Sequence, residues 1–139
     1  MQNFVFYNPV KIVFGKGVTE KTGEHVKAWG SKALLVYGRE SIKKNGIYDK
    51  VTASLKASGV TWIEHGGVKA NPVISHVREG AKKAKENGID VILAVGGGSV
   101  IDESKAIAAA SKYGGDAWDL YLEGIKPGET LPLVTVLTL

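Results

Sequence analysis

The chain has 139 residues, 44% hydrophobic and 23% charged, with a formal net charge of +4; that length fits one domain with a real core. The lysines are spread along the chain with no basic block interleaved with aromatics, which argues against nucleic acid, and with no cysteine there is neither a disulfide framework nor a thiolate metal site. No apolar run approaches the roughly 18 residues of a membrane span, and the opening MQNFVFYNPV lacks the pattern of a signal peptide, so a cytoplasmic protein with no membrane partner is expected.

Asn3 to Tyr7 and Lys11 to Phe14 read as two short strands around Asn8-Pro9, a turn starter, which predicts an N-terminal β-hairpin arm. A helix is predicted from about Val18 to Trp29, with Val18, Thr22, Val26 and Trp29 at helical spacing and Gly30 after it. Lys32 to Tyr37 reads as a buried strand closed by Gly38. The next helix, from about Ser41 to Ser58, carries a break signal at Asn45-Gly46. Gly59 ends it, and Val60 to Glu64 forms a strand. Asn71-Pro72 opens a helix over Val73 to Asn87 with an apolar side of Val73, Ile74, Val77, Ala81 and Ala84.

Val91 to Val95 is too short for a buried helix and rich in β-branched residues, the mark of a strand covered on both faces. An alanine- and isoleucine-rich helix follows to about Lys112, Gly114-Gly115 breaks it, and Trp118 to Leu122 makes a helical turn. The last strand runs from about Leu133 to Leu137. Because the sequence stops at Leu139 on that apolar pattern without a polar tail, it is expected to be a piece of a longer chain. Strands and helices alternate at βαβ spacing. The predicted fold is therefore α/β, a Rossmann-like, mostly parallel sheet with helices on both faces and the hairpin arm in front. Ligands in such sheets sit at the carboxyl ends of the strands.

The most informative stretch is Gly96-Gly97-Gly98-Ser99, between a strand and a helix. Glycines let backbone N–H groups approach a ligand, and the first helical turn offers unsatisfied donors and the positive dipole end, so a pyrophosphate cradle is one reading. The structural alternative makes Ser99 an N-cap with Asp102 closing a capping box, worth about 1 kcal/mol. That accounts for Ser99 but not for three consecutive glycines. Asp102 and Lys105 form either an i,i+3 ion pair or the polar lining of a cofactor groove. Asn71 is either a helix cap or a ribose ligand.

After the first long strand, Gly38, Arg39, Ser41, Lys43 and Lys44 tip the turn towards NADP over NAD, with Glu40 as the contradiction; the alternative is a glycine stop, a Ser41 N-cap and solvated charges. His25, His65 and His76 share no metal-ligand spacing, so no metal site is expected within the chain. Ser99 lacks the G-x-S-x-G elbow of a serine hydrolase.

Gly96 to Lys105, GGGSVIDESK, resembles the G-G-G-S-x-x-D-x-x-K signature of the iron-containing (group III) alcohol dehydrogenases, with wording closest to a butanol-dehydrogenase-like branch. Phe4 to Gly15, Val68 to Pro72 and Gly115 to Asp119 are similar to that family in the same order. The resemblance implies that residues 1–139 are a dinucleotide-binding domain whose helical partner domain, holding Fe²⁺ or Zn²⁺ through an Asp and three His, lies beyond the chain. It implies hydride transfer between NAD(P)H and a small alcohol or aldehyde, with no catalytic residue in this stretch and no turnover by it alone. Gly96, Gly97, Gly98 and Ser99 would meet the pyrophosphate, and Asp102 and Lys105 the nicotinamide side. Asn71 would lie near a ribose, Thr135 and Thr138 along the cofactor, and Gly38 and Ser41 at the adenosine 2′ position. A homodimer through the N-terminal strands is also implied. A glycerol-dehydrogenase- or dehydroquinate-synthase-like relative, or a stand-alone nucleotide-binding module, are the competing readings.

Overall fold

The computed structural model describes residues 3–122 and 124–138. Four strands, β1 (Lys32–Tyr37), β2 (Thr61–His65), β3 (Val91–Gly96) and β4 (Leu133–Leu137), form one parallel sheet in the order β2-β1-β3-β4. Among the described residues five α-helices accompany them: α1 (Thr22–Lys27), α2 (Ser41–Lys44), α3 (Ile47–Ala57), α4 (Ile74–Glu86) and α5 (Gly98–Ala110). Short 3₁₀ helices span Val18–Lys21 and Ala117–Tyr121.

The β-branched run that marked β3 is buried at every position, as the central place of a strand paired on both sides requires. Alternation then divides its side chains between two cores. Leu93 and Val95 join Val26, Leu35, Val51 and Leu55 on the α1/α3 face. Ile92 and Ala94 join Leu34, Val77, Ala84, Val100 and Ile107 on the α4/α5 face. Each fully buried Leu, Ile or Val contributes roughly 1.5–3 kcal/mol of transfer free energy, so both helical layers are bound to the sheet by hydrophobic burial. Asp90 fixes the opposite end of the sheet, accepting from the Ser31 N–H at 3.0 Å and the Lys32 N–H at 2.9 Å.

The break expected at Asn45-Gly46 is present: Gly46 takes φ 77° between α2 and α3, a left-handed conformation that suits a residue without Cβ. The hairpin arm is not. Residues 3–14 form no strand, and Val5 and Phe14 are 96% and 98% exposed. The turn itself forms, since Asn8 Oδ1 accepts from the Val10 N–H at 3.0 Å. Two isolated strands are marginal in water, and among the described residues no third strand or helix covers this segment. Leu139, where the expected apolar ending stops, lies outside the described residues.

Between β1 and β3 the direction of winding reverses: the chain leaves β1 for β2 over one face and returns to β3 across the other. At such a switch point the loops after the two strands diverge and leave a crevice at their carboxyl ends. Gly38 follows β1 there, and Gly97 follows β3.

Candidate functional site at the sheet switch point

The three glycines of the turn have different physical reasons. A Cβ on Gly96 would come 2.5 Å from Val100 Cγ2, so this glycine is required for α5 to pack against the end of β3. A Cβ on Gly97 would meet nothing nearer than the Thr138 carbonyl oxygen at 3.6 Å, and one on Gly98 would meet nothing within 4 Å. Neither has positive φ. The fold does not itself require Gly97 or Gly98, and their missing side chains keep the space before α5 open. That helix has 13 residues and no side-chain cap at its N-terminus, so donors of its first turn face this space unmatched.

Ser99 is not the N-cap. Gly97 holds that position in an extended conformation, and Ser99 lies inside the first turn of α5. Its Oγ instead donates to the carbonyl of Ala70, tying the helix to the loop between β2 and α4. Without Ser99 at the cap the expected capping box with Asp102 does not form; Asp102 takes an exposed pair with Lys105 at 3.4 Å. Ser41 is likewise the first residue of α2, with Glu40 before it and no side-chain cap. Asn71 is exposed and not a cap either, because α4 starts three residues later at Ile74 behind Val73.

Both loops converge on the glycine turn. The Gly67 N–H donates to the Gly38 carbonyl at 2.8 Å and the Val68 N–H to the Tyr37 carbonyl at 3.2 Å, holding the 66–73 loop against the end of β1. On the other side the Thr138 N–H donates to the Gly96 carbonyl at 3.0 Å. Gly38, Asn71, Gly96–Ser99 and Thr138 therefore stand at one end of the sheet. Thr135 lies further in along β4, in register with Ala94 and exposed on the edge strand, while Asp102 and Lys105 lie on the outer surface of α5.

An open cleft of about 520 Å³ adjoins the switch point, lined by Tyr37, Gly38, Arg39, Glu40, Glu64, Gly66 and Gly67. Glu64 is its ordered acid: Tyr37 donates to one carboxylate oxygen at 2.6 Å and Tyr48 to the other. Burial works to raise the Glu64 pKa, but the two phenol bonds and the charge of Lys43 outweigh it and hold the carboxyl below its ordinary range. Lys43 sits over both rings, 5.2 and 5.3 Å from their centroids, and 4.0 Å from Glu40. Sequence reasoning missed this group, since its members come from β1, α2, α3 and β2.

It also set the histidines apart, and here the structure corrects it. His65 and His76 stack at 4.0 Å between centroids, and both approach the buried Glu103. The readable signal was topological: one histidine ends a strand, and the other opens the helix that the same crossover brings back over it.

A parallel sheet wound in both directions from its centre, with a glycine turn leading into a long helix at the switch point, is the architecture of Rossmann-like α/β domains. The family model for iron-containing alcohol dehydrogenase matches residues 9–139, and the chain belongs to that family. It is 51% identical over its full length to the probable NADH-dependent butanol dehydrogenase 1 of Bacillus subtilis, and 46% identical to NADH-dependent butanol dehydrogenase A of Clostridium acetobutylicum. It is also 37% identical to an NADPH-dependent aldehyde reductase of Escherichia coli. The chain spans about 36% of the length of each. Among solved structures, NADH-dependent butanol dehydrogenase A of Thermotoga maritima superposes with a TM-score of 0.94 at 49% identity, over 99% of this chain and 35% of that one.

Proposed function

We propose that this chain is the dinucleotide-binding half of a metal-dependent alcohol dehydrogenase that moves hydride between NAD(P)H and a small alcohol or aldehyde. The observation that carries the reading is the pair Gly97 and Gly98. The fold has no packing or dihedral need for glycine at either, yet both stand where a pyrophosphate would meet the donors of α5. The nicotinamide supplies the hydride chemistry; this chain's residues bind and orient. Gly97, Gly98 and Ser99 receive the pyrophosphate, with Gly96 keeping α5 close. Asn71 reaches a ribose, Asp102 and Lys105 face the nicotinamide side, Thr135 and Thr138 lie along the cofactor, and Gly38 and Ser41 meet the adenosine 2′ position.

The family resemblance places an Asp and three His around Fe²⁺ or Zn²⁺. The one cluster of metal-ligating side chains among the described residues, His65, His76 and Glu103, is a different donor set and does not line the cleft. On this reading the catalytic metal is held by the helical domain that the resemblance places outside residues 1–139. This chain alone binds cofactor without turnover.

The cofactor reading shifts from NADP towards NAD. Of the basic residues that favoured a 2′-phosphate, Lys43 is engaged with Tyr37, Tyr48 and Glu40, while Glu40 and Glu64 both line the cleft with Arg39. Two carboxylates favour a 2′-hydroxyl and repel a phosphate. The relatives named NADH-dependent at 46–51% identity support the same choice. The exposed apolar arm at residues 3–14 supports a homodimer in which two such arms pair; sedimentation as a monomer at high concentration would count against it. The cytoplasm remains the proposed location, and among the described residues no helix is long and apolar enough to cross a membrane.

Titration of the purified protein with NADH and NADPH, followed by nicotinamide fluorescence, tests the central reading. Saturable binding with NADH the tighter ligand is expected; no saturation by either up to millimolar concentration overturns it.

A further inference from the structure

Between β2, α4 and α5 lies a buried group that the cofactor site does not use. His65 ends β2, His76 stands in the first turn of α4, and Glu103 lies on α5. The side chains of His65 and Glu103 are 1% and 0% exposed, and that of His76 is 20% exposed. His76 Nδ1 is 2.5 Å from Glu103 Oε1, and His65 Nε2 is 3.7 Å from the same oxygen.

The group is rich in lone pairs and poor in positive charge. Among the described residues, no Lys or Arg pairs with Glu103; its ion-pair partners are the two imidazoles. His65 Nε2 also faces the His76 carbonyl oxygen at 3.1 Å, another acceptor. Glu103 Oε2 and His65 Nδ1 are buried with no hydrogen-bond partner. A buried carboxylate with no Lys or Arg beside it is stable only when its charge is compensated, either by imidazole N–H donors or by a bound cation held by the same atoms.

We propose that His65 Nε2, His76 Nδ1 and Glu103 Oε1 bind a divalent transition metal of the Zn²⁺ class, a structural clip joining β2, α4 and α5. The three atoms lie within 4.8 Å of one another. The 3.7 Å separation is near the edge of about 3.3 Å that a tetrahedron with bonds of about 2.0–2.1 Å requires, while the 2.5 Å hydrogen bond between His76 Nδ1 and Glu103 Oε1 gives up its proton and opens when the metal binds. Imidazole nitrogen with carboxylate oxygen is a donor set that zinc accepts. Binding asks the stacked rings to tilt apart, a small movement for His76, the partly exposed member and the entry side. Gly80 keeps room for the other ring: a Cβ there would stand 3.0 Å from His65 Nε2 and 2.5 Å from Ile107 Cδ1. Glycine inside a helix costs about 1 kcal/mol against alanine, and α4 carries that cost beside His65.

The test compares the parent with H76Q and E103Q, each stripped with chelator, checked for folding by circular dichroism, and titrated with Co²⁺ and Zn²⁺. The parent is expected to take up one more metal equivalent per chain than either variant, with a visible Co²⁺ spectrum that Zn²⁺ displaces. Zn²⁺ should raise its melting midpoint by several degrees more than that of either variant. H76Q, at the partly exposed position, keeps the comparison open should E103Q fail to fold. Equal metal uptake by the parent and a folded variant overturns the site.

Discussion

Ser99 donates its hydroxyl hydrogen to the Ala70 carbonyl and so ties the first turn of α5 to the loop that carries Asn71. The hydroxyl thus holds two parts of the proposed cofactor site in register.

Replacing Ser99 with Ala removes that bond and leaves a carbonyl that water can reach. A net stability loss of about 1 kcal/mol is expected, the ordinary worth of one hydrogen bond. Dinucleotide affinity is expected to fall several-fold because the loop is no longer fixed. Chemical denaturation and nicotinamide fluorescence read the two effects separately, and unchanged affinity in a folded Ser99→Ala protein would remove Ser99 from the site.

Gly96 and Gly98 should respond in opposite ways. At Gly98 a Cβ meets no atom within 4 Å, so Gly98→Ala should raise stability by roughly 0.5–1 kcal/mol through the lower entropy of the unfolded chain. Gly98→Val should still fold yet lose dinucleotide binding at least tenfold, because its side chain occupies the space before α5. Gly96→Ala should melt lower, since its Cβ would stand 2.5 Å from Val100. A Gly98→Val protein that binds like the parent defeats the cradle.

The sheet was legible because its signals are local. KALLVY and VILAV are apolar runs bounded by glycine, and the observed β1 and β3 fall on them to within a residue. The helix starts were less legible. Ser99, Ser41 and Asn71 are all good capping residues, yet Gly97, Glu40 and Val73 hold the cap positions. Capping is worth only about 1 kcal/mol, and tertiary packing outweighed it. Tyr37, Tyr48 and Glu64, like His65, His76 and Glu103, meet only through the crossovers, and no spacing along the chain announces them. The hairpin arm failed for the converse reason: its local pattern is strand-like, but a strand needs a partner.

Cofactor choice should turn on Glu40. Glu40→Gln removes a carboxylate beside Arg39 in the cleft, so affinity for NADPH is expected to rise several-fold while affinity for NADH falls or holds. Arg39→Gln should weaken NADPH further and spare NADH. The readout is the ratio of the two dissociation constants; a ratio that neither substitution moves places the adenosine 2′ position elsewhere.

Glu64 should give the protein a pH signature at both ends. Its carboxyl is depressed below the ordinary value of 4.5, with burial opposing and the bonds from Tyr37 and Tyr48 prevailing. A depressed carboxyl contributes stability that is present above its unfolded pKa and is lost as pH falls through the folded one. The two phenols are raised above 10.0, Tyr37 chiefly by burial and then by Glu64, Tyr48 chiefly by its bond to Glu64. A raised phenol stabilises below its unfolded pKa and loses that contribution as pH rises through the folded one. Glu64→Gln keeps the shape of the side chain but removes its charge. Its melting midpoint should therefore be lower than the parent's at neutral pH, and the difference should shrink as pH falls below about 4.5 and as it rises above about 10. Melting curves of both proteins from acid to alkaline buffer decide it: a difference that stays constant across that range means the Tyr37–Glu64–Tyr48 group is not charge-assisted.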